Sequence, residues 1–109
     1  RRELKNAAHI EIDTKVIQMG TMNSGSVRSK YITIKNSGKS TLNIRKIETD
    51  CSCAMLELPD DKLLPGDSVS TLVKYDSLFK KGKQSKLIKI YTNDPSNPIL
   101  TLYVKAFVK

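Results

Sequence analysis

Three sulfur-containing side chains lie close together in the middle of the chain. Cys51, Cys53 and Met55 occupy alternate positions, and alternate residues of an extended strand point to the same side, about 7 Å apart. Thiolate and thioether sulfurs are soft ligands that suit Cu(I) or zinc. If this stretch is a strand, it predicts a soft-metal site, and copper handling is then one candidate function.

Less reactive interpretations of the same sulfur atoms are favoured. Cysteine and methionine fill protein cores well, and the three residues continue the inward phase of Ile47. A local disulfide is the next interpretation, although two strand residues on one face approach the upper Cα separation of about 7 Å for such a bond. Redox catalysis is least favoured, because Glu48, Asp50 and Glu57 flank the pair and disfavour a thiolate.

The remaining polar residues do not form a catalytic pattern in the sequence. His9 is the only histidine and precedes the first clear strand, so it is a poor candidate for a catalytic base. Asp60 and Asp61 fall in a proline-rich loop without the ligand spacing of a calcium loop. The glycines are isolated, which gives no phosphate-binding loop. The sequence therefore predicts a protein that is not an enzyme and has no cofactor.

Charge is unevenly distributed along the chain. The formal net charge is +8, yet six acids and a single base, Lys62, lie between Glu48 and Asp67. A lysine-rich stretch without acids follows, made up of Lys80, Lys81, Lys83, Lys86 and Lys89. This stretch contains no aromatic residue for base stacking, so we expect a solvated surface with acidic and basic zones and no nucleic-acid partner.

Apolar residues alternate with polar ones through most of the chain, and clusters of Gly, Pro, Asn, Asp or Ser interrupt them about every 8 to 12 residues. The pattern predicts a strand over Val27 to Asn36, then a hairpin turn. The inward phase changes near Arg45 and Lys46, which indicates a β-bulge. The region from Pro59 to Asp67 is predicted to be a loop.

These features favour an all-β protein, an immunoglobulin-like β-sandwich of about seven to eight strands. Residues 13–109 are expected to form the single domain, and residues 1–12 a lead-in segment or edge strand. The last strand, from Leu100 to Val108, shows the cleanest alternation and is expected to be paired on both sides. The sequence contains no apolar run of about 20 residues, so no transmembrane segment is predicted.

Four aromatic residues occupy the outward phase of their strands and form a candidate interaction surface: Tyr31, Tyr91, Tyr103 and Phe107. Ordinary cross-strand pairing is the alternative explanation, because aromatic residues favour strands in any case. The strand near Val16 to Met19 is the candidate edge to which a partner strand could add.

Five short segments resemble a known bacterial family, domain of unknown function 1573, and more distantly the Hydin-type and major-sperm-protein-like sandwiches. The segments are Ile32-Thr33-Ile34-Lys35-Asn36-Ser37-Gly38, Leu42-Asn43-Ile44, Cys51-Ser52-Cys53, Leu64-Pro65-Gly66-Asp67 and Thr92-Asn93-Asp94-Pro95. The family pattern is similar to Cys-Gly-Cys-Thr where this chain has Cys51-Ser52-Cys53-Ala54. Serine removes the backbone freedom of glycine at that position.

The resemblance implies export to the periplasm or cell surface of a bacterium, often as a lipoprotein with a lipid anchor upstream of the chain. It implies no activity. Together with the absence of a catalytic pattern, it leads us to expect a non-enzymatic module of the cell envelope. Such a module would bind an envelope protein or a glycan, and soft-metal handling is the alternative.

Overall fold

The computed structural model describes residues 6–109, and these residues form nine β-strands. The strands are β1 (Ile10–Ile12), β2 (Val16–Met22), β3 (Val27–Asn36), β4 (Leu42–Thr49), β5 (Ala54–Glu57), β6 (Lys62–Leu63), β7 (Ser68–Asp76), β8 (Gly82–Thr92) and β9 (Ile99–Val108). This all-β composition confirms the predicted fold class.

The strands form two sheets that pack against each other. One sheet has four strands in the order β1-β3-β7-β5, and the other has five in the order β2-β9-β8-β4-β6. Neighbouring strands are antiparallel, except that β2 runs parallel to β9. The sandwich is elongated, with extents of 51 × 20 × 18 Å.

Side chains of the inward phase fill the space between the sheets. Ile34, Val73 and Leu102 are completely buried, and full burial of an aliphatic side chain stabilises a fold by about 1.5–3 kcal/mol. The last strand, β9, is hydrogen-bonded to β2 on one side and β8 on the other. This confirms the prediction that the final strand is well paired.

The connection after β3 differs from the predicted hairpin. β3 has the predicted bounds, Val27–Asn36, but β4 belongs to the other sheet, so the chain crosses the sandwich instead of folding back. The side-chain amide of Asn36 donates to the carbonyl oxygens of Ser40 (2.8 Å) and Leu63 (2.9 Å) and so holds this crossing in place. Alternation shows which residues face inward, but it does not show which sheet a strand joins.

Two local details change the strand count and pairing. The β4–β8 register shifts between Ile44 and Lys46, which confirms the β-bulge predicted there. The proline-rich stretch predicted to be a loop contains the two-residue strand β6, Lys62–Leu63, which pairs with the start of β4. A strand this short is below the length at which alternation can be recognised.

The N-terminal segment packs onto the sandwich. β1 lies at the edge of the four-stranded sheet, where Ile10 is opposite Asn36, and Ala8 and Ile10 are buried in the core. Much of the predicted lead-in segment is therefore part of the domain, and its residues 1–5 lie outside the described residues. From residue 6 onward, the structure contains no helix long and apolar enough to cross a membrane.

Candidate functional site

The two cysteines lie in a turn and are bonded to each other. Strand β5 begins at Ala54, so Cys51 to Cys53 are not extended, and a disulfide joins their sulfurs across a Cα separation of 5.1 Å. The turn brings the two residues closer together than a strand would. The favoured prediction of two free cysteines packed in the core is therefore wrong.

The structure does not support a metal site at Cys51, Cys53 and Met55. Both thiols are consumed by the disulfide, and Met55 is half exposed on β5, opposite Lys74. The inward residue of this segment is Ala54, which is buried. Within the described part of the chain, His, Cys, Asp and Glu side chains do not assemble into a group of three that could hold a metal ion.

Asp94 is the most deeply buried carboxylate among residues 6–109, and hydrogen bonds surround it. It accepts from the backbone N–H of Ile10 (3.0 Å) and Ser96 (2.8 Å) and from the side-chain amide of Asn97 (3.1 Å). Nδ1 of His9 is 3.3 Å from the carboxylate. Burial alone would raise the pKa of Asp94, but these hydrogen bonds and the nearby His9 outweigh it and hold the pKa below its usual value.

Asn36 and Gly38 hold the same N-terminal segment from the other side. The side-chain oxygen of Asn36 accepts from the backbone N–H of His9 (3.2 Å) and of Gly38 (2.9 Å). Gly38 lies so close to the backbone of Ala7 to His9 that a Cβ atom would overlap it. We call Asn36, Gly38 and Asp94 the N-terminal clamp. These motif residues fix β1 in place.

The structure separates the four predicted surface aromatics. Tyr31 is 72% exposed on β3, at the outer face of the four-stranded sheet. Tyr91, Tyr103 and Phe107 lie on β8 and β9, in the outward phase of the five-stranded sheet. The prediction of a single patch is therefore wrong for Tyr31, because alternation cannot distinguish the outer faces of the two sheets.

Tyr91 is engaged in contacts on its own sheet. Its hydroxyl donates to Oε1 of Glu48 at 2.8 Å, and Nζ of Lys46 lies 5.5 Å from the ring centre and 3.4 Å from Glu48. The hydrogen bond from Tyr91, with the positive charge of Lys46, lowers the pKa of Glu48, and the same hydrogen bond raises the pKa of Tyr91. The contacts among Tyr91, Glu48 and Lys46 join the paired strands β4 and β8. For Tyr91 they therefore match ordinary cross-strand pairing, the explanation weighed above against an interaction surface.

Tyr103 and Phe107 remain open to solvent beside other apolar side chains. Tyr103 lies between Val16 of β2 and Leu87 of β8, and Val16, Tyr103 and Phe107 are each 40–48% exposed. We call Val16, Leu87, Tyr103 and Phe107 the β9 face. An open cavity of about 450 Å³ borders Phe107 and lies over the backbone around Gly20.

The charged residues around the β9 face are predominantly basic. Lys83 lies opposite Phe107, and Lys89 and Lys105 occupy the same outward phase of β8 and β9. Two carboxylates border this phase from the β4 side: Glu48 is bonded to Tyr91 and Lys46, and Asp50 accepts the N–H of Leu87. The β9 face therefore combines apolar side chains with a positive border.

The predicted edge strand is confirmed at β2, which among residues 6–109 is paired only with β9. Its edge is partly blocked, because Nη1 of Arg28 donates to the carbonyl oxygen of Met19 at 2.5 Å. The register also shifts between Gln18 and Gly20, and Gly20 adopts a positive φ of 78° there. A partner strand could therefore pair with only the first half of β2 without displacing Arg28.

Sequence reasoning misses the clamp carboxylate and gives the disulfide only as its second interpretation. The signal for Asp94 was its position between Asn93 and Pro95, which predicts a turn but not burial. The spacing of the two cysteines allows a disulfide, but the alternation of the flanking residues favours a strand, whereas the bond depends on a turn.

Solved structures share this fold. A protein of unknown function from Porphyromonas gingivalis W83 superposes with a TM-score of 0.82 at 21% identity, over 95% of this chain and 48% of that one. The ASH/PapD-like domain 7 of human CEP192 gives 0.69 at 10% identity, over 92% and 84%. The periplasmic chaperone SfaE gives a TM-score of 0.60 at 11% identity, over 93% and 56%.

At these identities the likeness shows the fold alone, an immunoglobulin-like sandwich of the PapD-like kind. The chain spans about half the length of the Porphyromonas gingivalis structure. No curated protein matches the sequence. The model of one family, described as protein of unknown function (DUF1573), matches residues 10–108, and the chain belongs to that family.

Proposed function

We propose that this domain is a non-enzymatic protein-binding module of the bacterial cell envelope and that its β9 face is the binding surface. The observation that carries the proposal is the exposure of Tyr103 and Phe107 on one sheet face, next to Val16. Aromatic side chains surrounded by polar groups are the common anchors of protein interfaces.

The charge around this face specifies the kind of partner. Lys83, Lys89 and Lys105 surround the apolar side chains, and a positive border favours a partner with acidic residues around an apolar patch. We therefore propose an acidic envelope protein in preference to a glycan. Steering by these lysines would make association faster at low salt than at high salt.

The location of the polar groups supports a role in binding and not in catalysis. The buried polar side chains of Asn36, Ser77 and Asp94 each make three or more hydrogen bonds, and these bonds all hold the chain itself. In the cavity beside Phe107, the titratable side chains are Lys83 and Lys105. A positively charged groove of this kind can position a partner without an acid–base pair.

The disulfide supports the proposed export. Disulfides persist in the periplasm and outside the cell, whereas cytosolic thiols are kept reduced. The likeness to a periplasmic chaperone is compatible with this compartment. A subcellular fractionation combined with thiol labelling tests it. We expect the protein in the envelope fraction, with no labelled cysteine before reduction and two after it; a reduced protein in the cytosol would contradict export.

The binding surface is tested by site-specific photo-cross-linking in intact envelopes. A cross-linker at Phe107 should capture one partner protein, and a cross-linker at Tyr31, on the opposite face, should not. The double variant Tyr103→Ser, Phe107→Ser should weaken binding of the captured partner about 30-fold, the effect of losing an interface anchor. Tyr31→Ser is the matched control and should leave binding unchanged.

Two results would contradict this proposal. The first is an equal loss of binding in the Tyr31→Ser control, which would remove the link to the β9 face. The second is a captured species that resists protease and is lost on glycan digestion, which would identify a glycan as the ligand. Melting temperatures of all variants must match that of the parent protein, so that loss of binding is not loss of folding.

A further inference from the structure

The loop between β7 and β8 exposes two large apolar side chains. Phe79 is 92% exposed and Leu78 is 52% exposed, although apolar groups of this size normally lose water contact on folding. Lys80 and Lys81 follow directly in the chain. We call Leu78, Phe79, Lys80 and Lys81 the basic tip. It lies at the opposite end of β7 from the acidic loop that precedes that strand.

The backbone of the basic tip holds Phe79 outward. Phe79 has a φ of 61° and is the only non-glycine residue with a positive φ in the described part of the chain. A bulky residue in this region costs about 1–3 kcal/mol. The turn is closed by hydrogen bonds on both sides of Phe79, from Leu78 N–H to Oδ1 of Asp76 (2.9 Å) and from Lys80 N–H to the carbonyl of Ser77 (3.0 Å).

Ser77 attaches this turn to the neighbouring loop. Its side chain is fully buried, its hydroxyl lies 2.8 Å from the carbonyl oxygens of Asn23 and Ser26, and it accepts the N–H of Ser26 at 3.0 Å. Val27, which is opposite Asp76 in the β3–β7 pair, is 60% exposed beside this loop. The tip is therefore a supported projection with an additional apolar side chain at its base.

The charges near the tip are almost all positive. Lys80, Lys81 and Lys83 follow Phe79 within four residues. The adjacent carboxylate, Asp76, already accepts the N–H of Leu78. The acid that borders β8 farther along is Asp50, which follows β4 and accepts the N–H of Leu87. Leu87 lies five residues, about 16 Å along the strand, beyond Gly82.

We propose that the basic tip inserts into the surface of an anionic phospholipid bilayer. Phe79 and Leu78 would lie among the upper acyl chains, and Lys80 and Lys81 would contact lipid phosphates. An apolar projection flanked by lysines suits the boundary between headgroups and acyl chains, where aromatic rings and basic side chains are both stabilised. The tip adjoins the β9 face, because Lys83 and Phe107 pair at the start of β8 directly after Lys81, but none of its four residues belongs to the β9 face, so the two proposals can be tested separately.

The inference is tested by sedimentation of the purified domain with lipid vesicles. We expect binding to vesicles of phosphatidylethanolamine and phosphatidylglycerol, and much weaker binding to vesicles of phosphatidylcholine alone. Binding should decrease as salt is raised, because surface charges are screened. Failure to bind anionic vesicles, or equal binding to both kinds of vesicle, would overturn the proposal.

Two variants locate the bilayer contact at the tip. Phe79→Asn should reduce vesicle affinity about tenfold or more through loss of the buried ring, and asparagine tolerates the positive φ. The double variant Lys80→Ser, Lys81→Ser should reduce affinity by about fivefold for each lysine.

The matched control is Leu64→Asn, which removes a residue that is 61% exposed in the acidic loop at the other end. It should leave vesicle binding unchanged. Unchanged binding in Phe79→Asn, or an equal loss in the Leu64→Asn control, would overturn the assignment. The Tyr103→Ser, Phe107→Ser variant should still bind vesicles, so failure here is distinguishable from failure of the proposed protein-binding surface.

Discussion

The two ends of the sandwich use polar and apolar residues in opposite ways. At one end, the N-terminal clamp buries a carboxylate and an amide and satisfies them with backbone N–H and C=O groups. At the other end, the basic tip exposes Phe79 and Leu78 and surrounds them with lysines. Buried polar groups with partners fix a structure, whereas exposed apolar groups are available to a partner.

Four of the five family motifs lie at the clamp end, and the fifth, Cys51-Ser52-Cys53, lies at the other end, where the carbonyl oxygen of Cys53 accepts the N–H of Asp76 (2.8 Å). Asn36 exchanges backbone hydrogen bonds with Gly66 and Asp67 (2.8 and 2.9 Å) in addition to its side-chain bonds, and Asp94 completes the clamp end. The residues by which the sequence resembles its family therefore stabilise the fold. The surfaces that we propose for binding, the β9 face and the basic tip, lie outside those motifs.

Gly38→Ala, at the clamp end, is expected to cause the largest loss of stability. The added methyl group would overlap the backbone of Ala7 to His9, and the backbone would have to move to make room for it. We therefore expect a loss of about 3 kcal/mol in the free energy of unfolding. Gly25→Ala is the control, because its site is open and only a positive φ opposes it, at about 1 kcal/mol. Denaturant unfolding measures both; equal losses would show that the clamp is not tightly packed.

Asp94→Asn should cause the next largest loss of stability, and it tests how the stability of the domain depends on pH. Because the pKa of Asp94 is lower in the folded protein than in the unfolded chain, its stabilisation is present above the unfolded pKa and is lost as the pH falls through the folded pKa. We expect the parent protein to lose stability below about pH 4. The variant should be less stable by about 2 kcal/mol at neutral pH, with a weaker acid dependence.

The Asp94 prediction is checked by urea unfolding of both proteins across acid pH. Asp13→Asn provides the control, because Asp13 is exposed and accepts one hydrogen bond, from the N–H of Thr33. If Asp94→Asn and the parent protein lost stability in parallel as the pH fell, the carboxylate would not contribute the stabilisation that the structure assigns to it.

The smallest effect is expected at the tip. Phe79→Asn removes an exposed ring from a left-handed backbone position that asparagine tolerates, so the free energy of unfolding should be unchanged or rise by up to about 1 kcal/mol. Tyr31→Asn, at an exposed strand position, should instead cost up to about 1 kcal/mol because asparagine disfavours strands. Thermal melting compares the two, and destabilisation by Phe79→Asn would mean that the tip serves the fold.

Much of the fold could be predicted from the sequence because alternation reports directly on burial. It gave the bounds of β3, the bulge near Lys46 and the two-sided pairing of β9. It could not assign strands to sheets, so the crossing after Asn36 was predicted to be a hairpin. The partner of a strand is decided by long-range packing, to which the local pattern is insensitive.

The candidate site could be predicted only in part. Tyr103 and Phe107 were identified by their outward phase, but Tyr31 was grouped with them because phase does not distinguish the two outer faces. The metal-site interpretation of the cysteines depends on an extended strand, whereas a turn pairs them in a disulfide, the second interpretation. Phe79 was missed because it lies in a turn between strands, where alternation has no meaning.

The parallel pairing of β2 with β9 has a mechanical consequence. Val16 lies beside Tyr103 and Met22 beside Val108, so the beginning of β2 and the end of β9 are at opposite ends of the paired segment. Tension applied between those two points would slide the strands past each other and load their hydrogen bonds together, not one after another. A pull between Val16 and Val108 would therefore be resisted in shear by the β2–β9 pair.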